Sequence, residues 1–472
     1  MTETLDSWIA REYCHAAVEM MRGISPLEVI KERPGFGQVI RPKLGAIVAS
    51  PVPASYDPDP DYFFHWYRDS AVIIDALRVL ANDGTDEGFP RIAARHFGDF
   101  VSFSLGLRGL DGRALVAAPG WRGRVQDDFR RFLRTDEDLA NAHGPAIAAE
   151  TRVNADGTLD ISSWARPQHD GPALRALAVL RWLRRGARPP QAEALEQANA
   201  VTLAPIIEAG AAELLQADLA FTRARSPEPC FDIWEEELGV HYYALCVAAA
   251  ALEAGAAWLT VHGSGHEADG CRADAAALRE RLDAFWSAED GFYRSRTLAT
   301  GERSAKELDI SVVLAAIHAD APGARHSVSD PRVHSTLERL EALFDAEYPI
   351  NRNRPRARGP ALGRYRDDQY YSGGAYYFST LGASELCFRA ASRAGTTEAR
   401  QLIERGDAYL ETVRAFTPSS GDLSEQFDRR SGEQTSAKHL AWSYAAFITC
   451  TAARRAALDR AQDTGRHSFA AQ

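Results

Sequence analysis

Apolar positions recur along most of the chain at the three-and-four spacing of helices. Ile73, Ala76, Leu77 and Leu80 form one stripe, and Ala176, Val179, Leu180 and Leu183 form a second. Tyr243, Cys246, Val247 and Ala250 form a third, beside a run of alanine at 248–251, the strongest helix former. Strict alternation over long stretches is missing, so only short strands are expected. The breaks between stripes are equally clear. Residues 50–61 hold four prolines and cannot be helical, so they predict an ordered turn region. Residues 321–330, with Pro322-Gly323, and the basic stretch 352–360 read as connections, the latter as an exposed loop. No linker divides the chain, which predicts an all-helical domain over 1–462 and a frayed tail over 463–472.

Composition narrows the function classes. With 472 residues, 45% of them hydrophobic, the chain can bury a large core. Its net charge of −11 argues against nucleic acid or an anionic membrane as partner, since both reward a basic surface. No stretch reaches the ~20 apolar residues of a membrane span. The first six residues, Met1-Thr2-Glu3-Thr4-Leu5-Asp6, lack the basic and apolar regions of a signal peptide, so a cytoplasmic location is expected. Cys14, Cys230, Cys246, Cys271, Cys387 and Cys450 lie far apart with no CxxC pair, which predicts buried free thiols. No compact ligand cluster appears, and neither metal nor organic cofactor is expected.

The candidate chemistry lies in two acidic segments. Phe231-Asp232-Ile233-Trp234-Glu235-Glu236-Glu237 crowds four carboxylates around one indole, and Gly421-Asp422-Leu423-Ser424-Glu425-Gln426-Phe427-Asp428 follows near the C-terminus. Like charges beside an apolar ring raise a carboxyl pKa, through repulsion and desolvation. A carboxyl so raised can act as general acid while an ionised one acts as base, the division of labour in glycoside hydrolysis. Acidic triplets are more often solvated helix faces. This one precedes an apolar helical run, and at ~100° per residue at most two of its glutamates reach a pocket. Three further segments, 61–69, 164–172 and 363–371, interleave aromatic residues with Arg and Asp. Flat rings can cover the C–H faces of a pyranose while Arg and Asp bond its hydroxyls.

Taken in order, these segments resemble glycoside hydrolase family 15, the glucoamylase family. The likeness runs from Thr4-Leu5-Asp6-Ser7-Trp8 and Val48-Ala49-Ser50-Pro51 through Asp61-Tyr62-Phe63, Arg166-Pro167-Gln168 and Asp232-Ile233-Trp234-Glu235-Glu236. It continues through Gly363-Arg364-Tyr365, Ser424-Glu425-Gln426 and Trp442-Ser443-Tyr444-Ala445. The resemblance implies an (α/α)6 barrel, with the site among loops at its mouth, and exo-hydrolysis of α-glucosidic bonds with inversion to β-glucose. By position it makes Glu235 the general acid and Glu425 the general base, with carboxyls ~6.5–9.5 Å apart to admit one water. Arg68, Asp69 and Arg364 would grip the terminal glucose, with Asp368 fixing Arg364. Tyr62 and Trp66 would form an aromatic wall near the base, Trp164 would flank the acid, and Glu236 would contact the next sugar. Trp234, Tyr370 and Tyr376 complete the expected sugar-binding set. Asp232 would tune the acid, and Glu433 is a structural decoy.

The implied partner is an α-glucan or a malto- or isomalto-oligosaccharide, with short soluble substrates favoured. The chain departs from starch-type members at Tyr371-Ser372-Gly373-Gly374-Ala375-Tyr376, where a tryptophan is usual, at Glu237-Leu238, and at His169 in place of arginine. Those positions border the leaving-sugar side, so linkage stays open, as does oligomeric state. An isomaltose-type α-1,6-glucosidase or trehalase of the same family is one alternative, and a non-catalytic sugar-binding relative is another.

Overall fold

The computed structural model describes all residues except 1–2, 56–57, 84–87, 187–196, 322, 324 and 471–472, and no side chain at 185, 186, 197–206 or 464–470. Twelve helices of nine residues or more are described. They are α1 (Leu5–Met21), α2 (Tyr67–Asn82), α3 (Phe89–Leu107), α4 (Asp170–Gly186), α5 (Gln197–Arg225) and α6 (Tyr242–His262). α7 (Gly265–Asp283), α8 (Ser311–Ala319), α9 (Pro331–Glu347), α10 (Tyr377–Ala391), α11 (Thr396–Phe416) and α12 (Ala441–Ala470) follow. The even-numbered helices pack in a closed ring, α2 on α4, α4 on α6, α6 on α8, α8 on α10, α10 on α12 and α12 on α2. Each is backed by an odd-numbered neighbour, with α1 behind α12. This is an (α/α)6 barrel.

The three stripes read from sequence lie on α2, α4 and α6, all inner helices. An inner helix meets protein on most sides, and on α6 the stripe widens into an almost wholly apolar surface. For α6 this changes one expectation. Its 21 residues are apolar enough, by length and composition, to cross a membrane, contrary to the sequence reading, yet 61% of its most apolar window is buried inside the protein. Close approach needs a small residue at one point. A Cβ at Gly171 would stand 2.6 Å from that of Tyr67, so glycine lets the heads of α4 and α2 meet.

The strands are two to four residues long, as expected of a chain with no sustained alternation. β1 (Phe64–Trp66) pairs antiparallel with β2 (Arg152–Asn154), and β3 (Cys230–Phe231), β4 (Leu238–His241) and β5 (Arg296–Leu298) form a second sheet. β6 (Ala375–Tyr376), β7 (Gln426–Phe427) and β8 (Gln434–Thr435) form a third. These sheets sit beside the N-terminal ends of the inner helices and aim the loops there. Beneath those loops lies a stack in which Trp234 packs on Phe378 (centroids 6.0 Å apart) and Phe378 on Trp442 (4.5 Å). The Arg68 guanidinium lies 5.6 Å from the Trp442 ring.

Two other expectations are corrected. Glu235, Glu236 and Glu237 lie on no helix but on the turn between β3 and β4, so helical spacing does not govern where they point. All six cysteines are free, but Cys14 is exposed while the other five are buried. The tail expected from 463 is helical in backbone as far as Ala470, and its side chains from 464 lie outside the described residues.

Candidate active site

Glu235 occupies a left-handed backbone conformation, φ 66°, and its N–H donates to the carbonyl of Asp232 at 2.9 Å. Asp232 staples the turn: its Oδ1 accepts the N–H groups of Glu236 (2.7 Å) and Glu237 (2.9 Å), and its Oδ2 pairs with Arg296 at 3.1 Å. Burial would raise this carboxyl, but Arg296, His241 and the backbone donors hold it below the usual carboxylate range. Glu237 also pairs with Arg296 (2.9 Å), while Glu236 pairs with Lys306 (2.6 Å) and Arg364 (3.0 Å). The crowding read from sequence is therefore relieved, because each neighbouring carboxylate pairs with a cation.

Glu235 instead faces three donors from two parts of the chain. Its Oε1 accepts from Trp66 Nε1 at 2.9 Å and from Arg68 Nη2 at 3.0 Å, and its Oε2 accepts from Trp164 Nε1. Trp66, expected near Glu425, thus gives its N–H to Glu235. Arg68 is held in turn by Gln168 (3.3 Å), Asp69 (3.3 Å) and Asp170 (3.6 Å) at the heads of α2 and α4. Burial pushes the Asp69 carboxyl up to about 6, against the pull of Arg68 and with Glu235 and Asp170 adding to the rise.

Glu425 stands at the head of β7, fixed through its main chain. Its N–H donates to the Ala437 carbonyl at 2.7 Å, and its own carbonyl accepts from Tyr377 N–H at 3.3 Å. Its Oε1 accepts from the Tyr62 hydroxyl at 3.3 Å and its Oε2 from Ser436 Oγ. Only 8% exposed, Glu425 is pushed by burial up to about 7, although the Ser436 hydroxyl, Arg364 and Tyr62 oppose the shift.

The two carboxylates share one wall. The Tyr62 ring lies 5.2 Å from that of Trp66, so hydroxyl and indole N–H of adjoining rings address Glu425 and Glu235 respectively. The Tyr62 phenol is raised first by burial and then by the negative fields of both. Asp69 likewise raises Glu425 and is itself raised by Glu235.

Arg364 forms the other side, with a two-point bond to Asp368 (2.7 and 2.6 Å). Its guanidinium lies 5.3 Å from the rings of Trp234, Tyr370 and Tyr376. Tyr376 is fully buried, donating to Asp368 Oδ2 at 3.2 Å, and so supports the Arg364–Asp368 pair. The Trp234 N–H is committed to Asp309 at 2.8 Å. Tyr370 donates or accepts at the Tyr62 hydroxyl, 2.7 Å away. Trp164, at 38% exposed, remains open beside Glu235, and Glu433 is exposed at the surface, apart from these contacts. His169 is buried against Phe221.

Sequence reasoning missed Arg296, Lys306 and Ser436. Lys306 carries the one faint signal, being among only four lysines against fifty arginines. Among the described residues no group of His, Cys, Asp and Glu could hold a metal ion.

The arrangement sets Glu235 and Glu425 against the adjoining rings of Trp66 and Tyr62, with the Arg364–Asp368 pair alongside, and comparisons with known proteins place the chain as a whole. The chain is 26% identical to "Glucoamylase 1" of Rhizopus oryzae over 96% of its own length and 72% of that protein's. It is 26% identical to "Glucoamylase, intracellular sporulation-specific" of Saccharomyces cerevisiae, over 85% of this chain and 77% of the relative. The solved family 15 glucoamylase from Hypocrea jecorina shares its fold, with a TM-score of 0.75 at 22% identity, over 96% of this chain and 72% of that one. The model of glycosyl hydrolases family 15 matches residues 148–452, and the chain belongs to that family.

Proposed function

We propose that this protein is an inverting exo-α-glucosidase of the glucoamylase type, which releases β-glucose from the non-reducing ends of α-glucosidic oligosaccharides. The observation that carries this reading is the pairing of Glu235 and Glu425 across Tyr62 and Trp66, each carboxylate in its own environment. Arg68, Asp69 and Arg364 hold the terminal glucose between them. Glu235 gives its proton to the glycosidic oxygen as the bond from that oxygen to the anomeric carbon breaks. Glu425 takes a proton from the water that attacks the same carbon from the opposite face, and this inverts its configuration. Fixing both groups on one rigid barrel mouth supplies the orientation the reaction needs.

Short soluble malto- and isomalto-oligosaccharides are the substrates this reading favours. An intracellular setting, as in the sporulation-specific yeast relative, is part of it, and six free cysteines suit a reducing compartment. Product analysis on maltose, maltotriose, isomaltose and trehalose tests it. Glucose should appear from maltose and maltotriose, with maltose as the first shortened product of maltotriose. Cleavage of trehalose alone, or of none of the four, would refute the proposal.

A further inference from the structure

We infer that Lys306, rather than the Glu236 carboxylate, meets the sugar that leaves the reaction and so discriminates among leaving groups. The inference rests on the exo-glucosidase reading and refines its leaving-sugar side. Glu236 follows the proposed acid directly in the chain, and family position would make it the contact to the second sugar. Its carboxylate, however, is already largely engaged. Oε2 accepts from Lys306 Nζ at 2.6 Å and from the Tyr365 hydroxyl at 2.5 Å, and Oε1 accepts from Arg364 Nη2 at 3.0 Å. A carboxylate oxygen has about two acceptor sites, so Oε2 is filled and one site remains on Oε1, beside Arg364.

Lys306 is placed to act instead. An ammonium group carries three donors. One goes to Glu236, and the others have no hydrogen-bond acceptor among the described residues, although Nζ lies 4.7 Å from the centre of the Tyr365 ring. The side chain keeps 29% of its surface exposed. Its backbone is pinned: Lys306 N–H donates to Ser304 Oγ at 3.0 Å, and Ser304 Oγ donates to Glu237 Oε2 at 2.8 Å. Its carbonyl accepts from Ser295 Oγ at 3.1 Å. A donor held this way binds a hydroxyl oxygen with little ordering cost. Glu236 then serves as a bridge that fixes Lys306 to Arg364, tying the leaving-sugar contact to the terminal-glucose clamp.

The test compares two substrates on Lys306→Met. Maltose has a leaving sugar with hydroxyls, whereas the leaving group of a 4-nitrophenyl α-glucoside has none. With maltose, kcat/KM should fall about tenfold, mostly through KM, the size expected for one lost charge-assisted hydrogen bond. With the aryl glucoside it should stay within about twofold, and Lys306→Arg should restore maltose cleavage. Equal losses on both substrates, or no loss on maltose, would overturn the inference. If the wild-type enzyme cleaves neither substrate, the exo-glucosidase reading fails on its own. Calorimetric affinities for glucose and maltose then judge Lys306 separately: a loss in the variant confined to maltose supports it, and any other pattern sinks it.

Discussion

Glu235 projects from a turn with left-handed backbone, and N–H donors from Trp66, Arg68 and Trp164 converge on it from two segments. Glu425, by contrast, directly precedes a strand and is fixed by main-chain bonds on both sides, and its carboxylate meets two hydroxyls in a buried setting. One carboxylate is thus governed by side chains, including the exposed Trp164, and the other by burial and backbone. Under the proposed roles, the proton donor keeps one exposed neighbour, Trp164, whereas the group that aligns the water is held by burial and main chain. That contrast gives each side its own way of failing.

The largest effects come from removing either carboxylate. Glu235→Gln and Glu425→Gln should each lower kcat by about a thousandfold or more while sparing sugar affinity, measured by steady-state kinetics and calorimetry. Asp368→Asn comes next. It leaves the buried Arg364 guanidinium without its bidentate partner, and kcat/KM should fall about a hundredfold on every α-glucoside. Trp164→Phe removes one donor from Glu235 and keeps the ring, so a fall in kcat of about tenfold is expected, with the acid-side limb of the pH profile unmoved. A shift of that limb would show that the two sides are not governed separately.

The limb itself should follow Glu425. A base must be ionised, and burial places its proton loss near 7, so kcat/KM of the wild type should fall as pH drops below about 7. Removing the Tyr62 hydroxyl, which favours the ionised form, should move the limb to higher pH in Tyr62→Phe.

The smallest effect is on stability, and its sign separates burial from the other forces on Glu425. A carboxyl raised to about 7 in the fold, from 4.5, contributes stability that is present below 4.5 and lost as pH rises through 7. Glu425→Gln escapes that loss. Its Tm should exceed that of the wild type at pH 8, by up to about 3 kcal/mol of stability, and the gap should close by pH 4.

Much of the fold was legible because the inner helices carry most of the apolar surface. The stripes at 73–80, 176–183 and 243–250 need no tertiary information to be recognised. Closure into a ring is different, since it depends on which helix packs on which, and periodicity is silent about that. Strands of two to four residues were invisible, being too short to show alternation. At the site, Glu235 and Glu425 could be picked out because each lies in a segment with a distinctive family order. The wiring around them could not. Arg296 reaches Asp232 across 64 positions and Lys306 reaches Glu236 across 70, and a lone cation in a loop looks like any other until the chain is folded. The acidic triplet misled for the same reason, because its like charges are separated by partners far away in sequence.

The most direct test of paired, inverting carboxylates is the configuration of freshly released sugar. Proton NMR in the first minutes of maltotriose hydrolysis resolves the anomers before mutarotation mixes them. The β-anomer of glucose should appear first, with the α-anomer growing only later. Glucose released first as the α-anomer would contradict a water placed between Glu235 and Glu425.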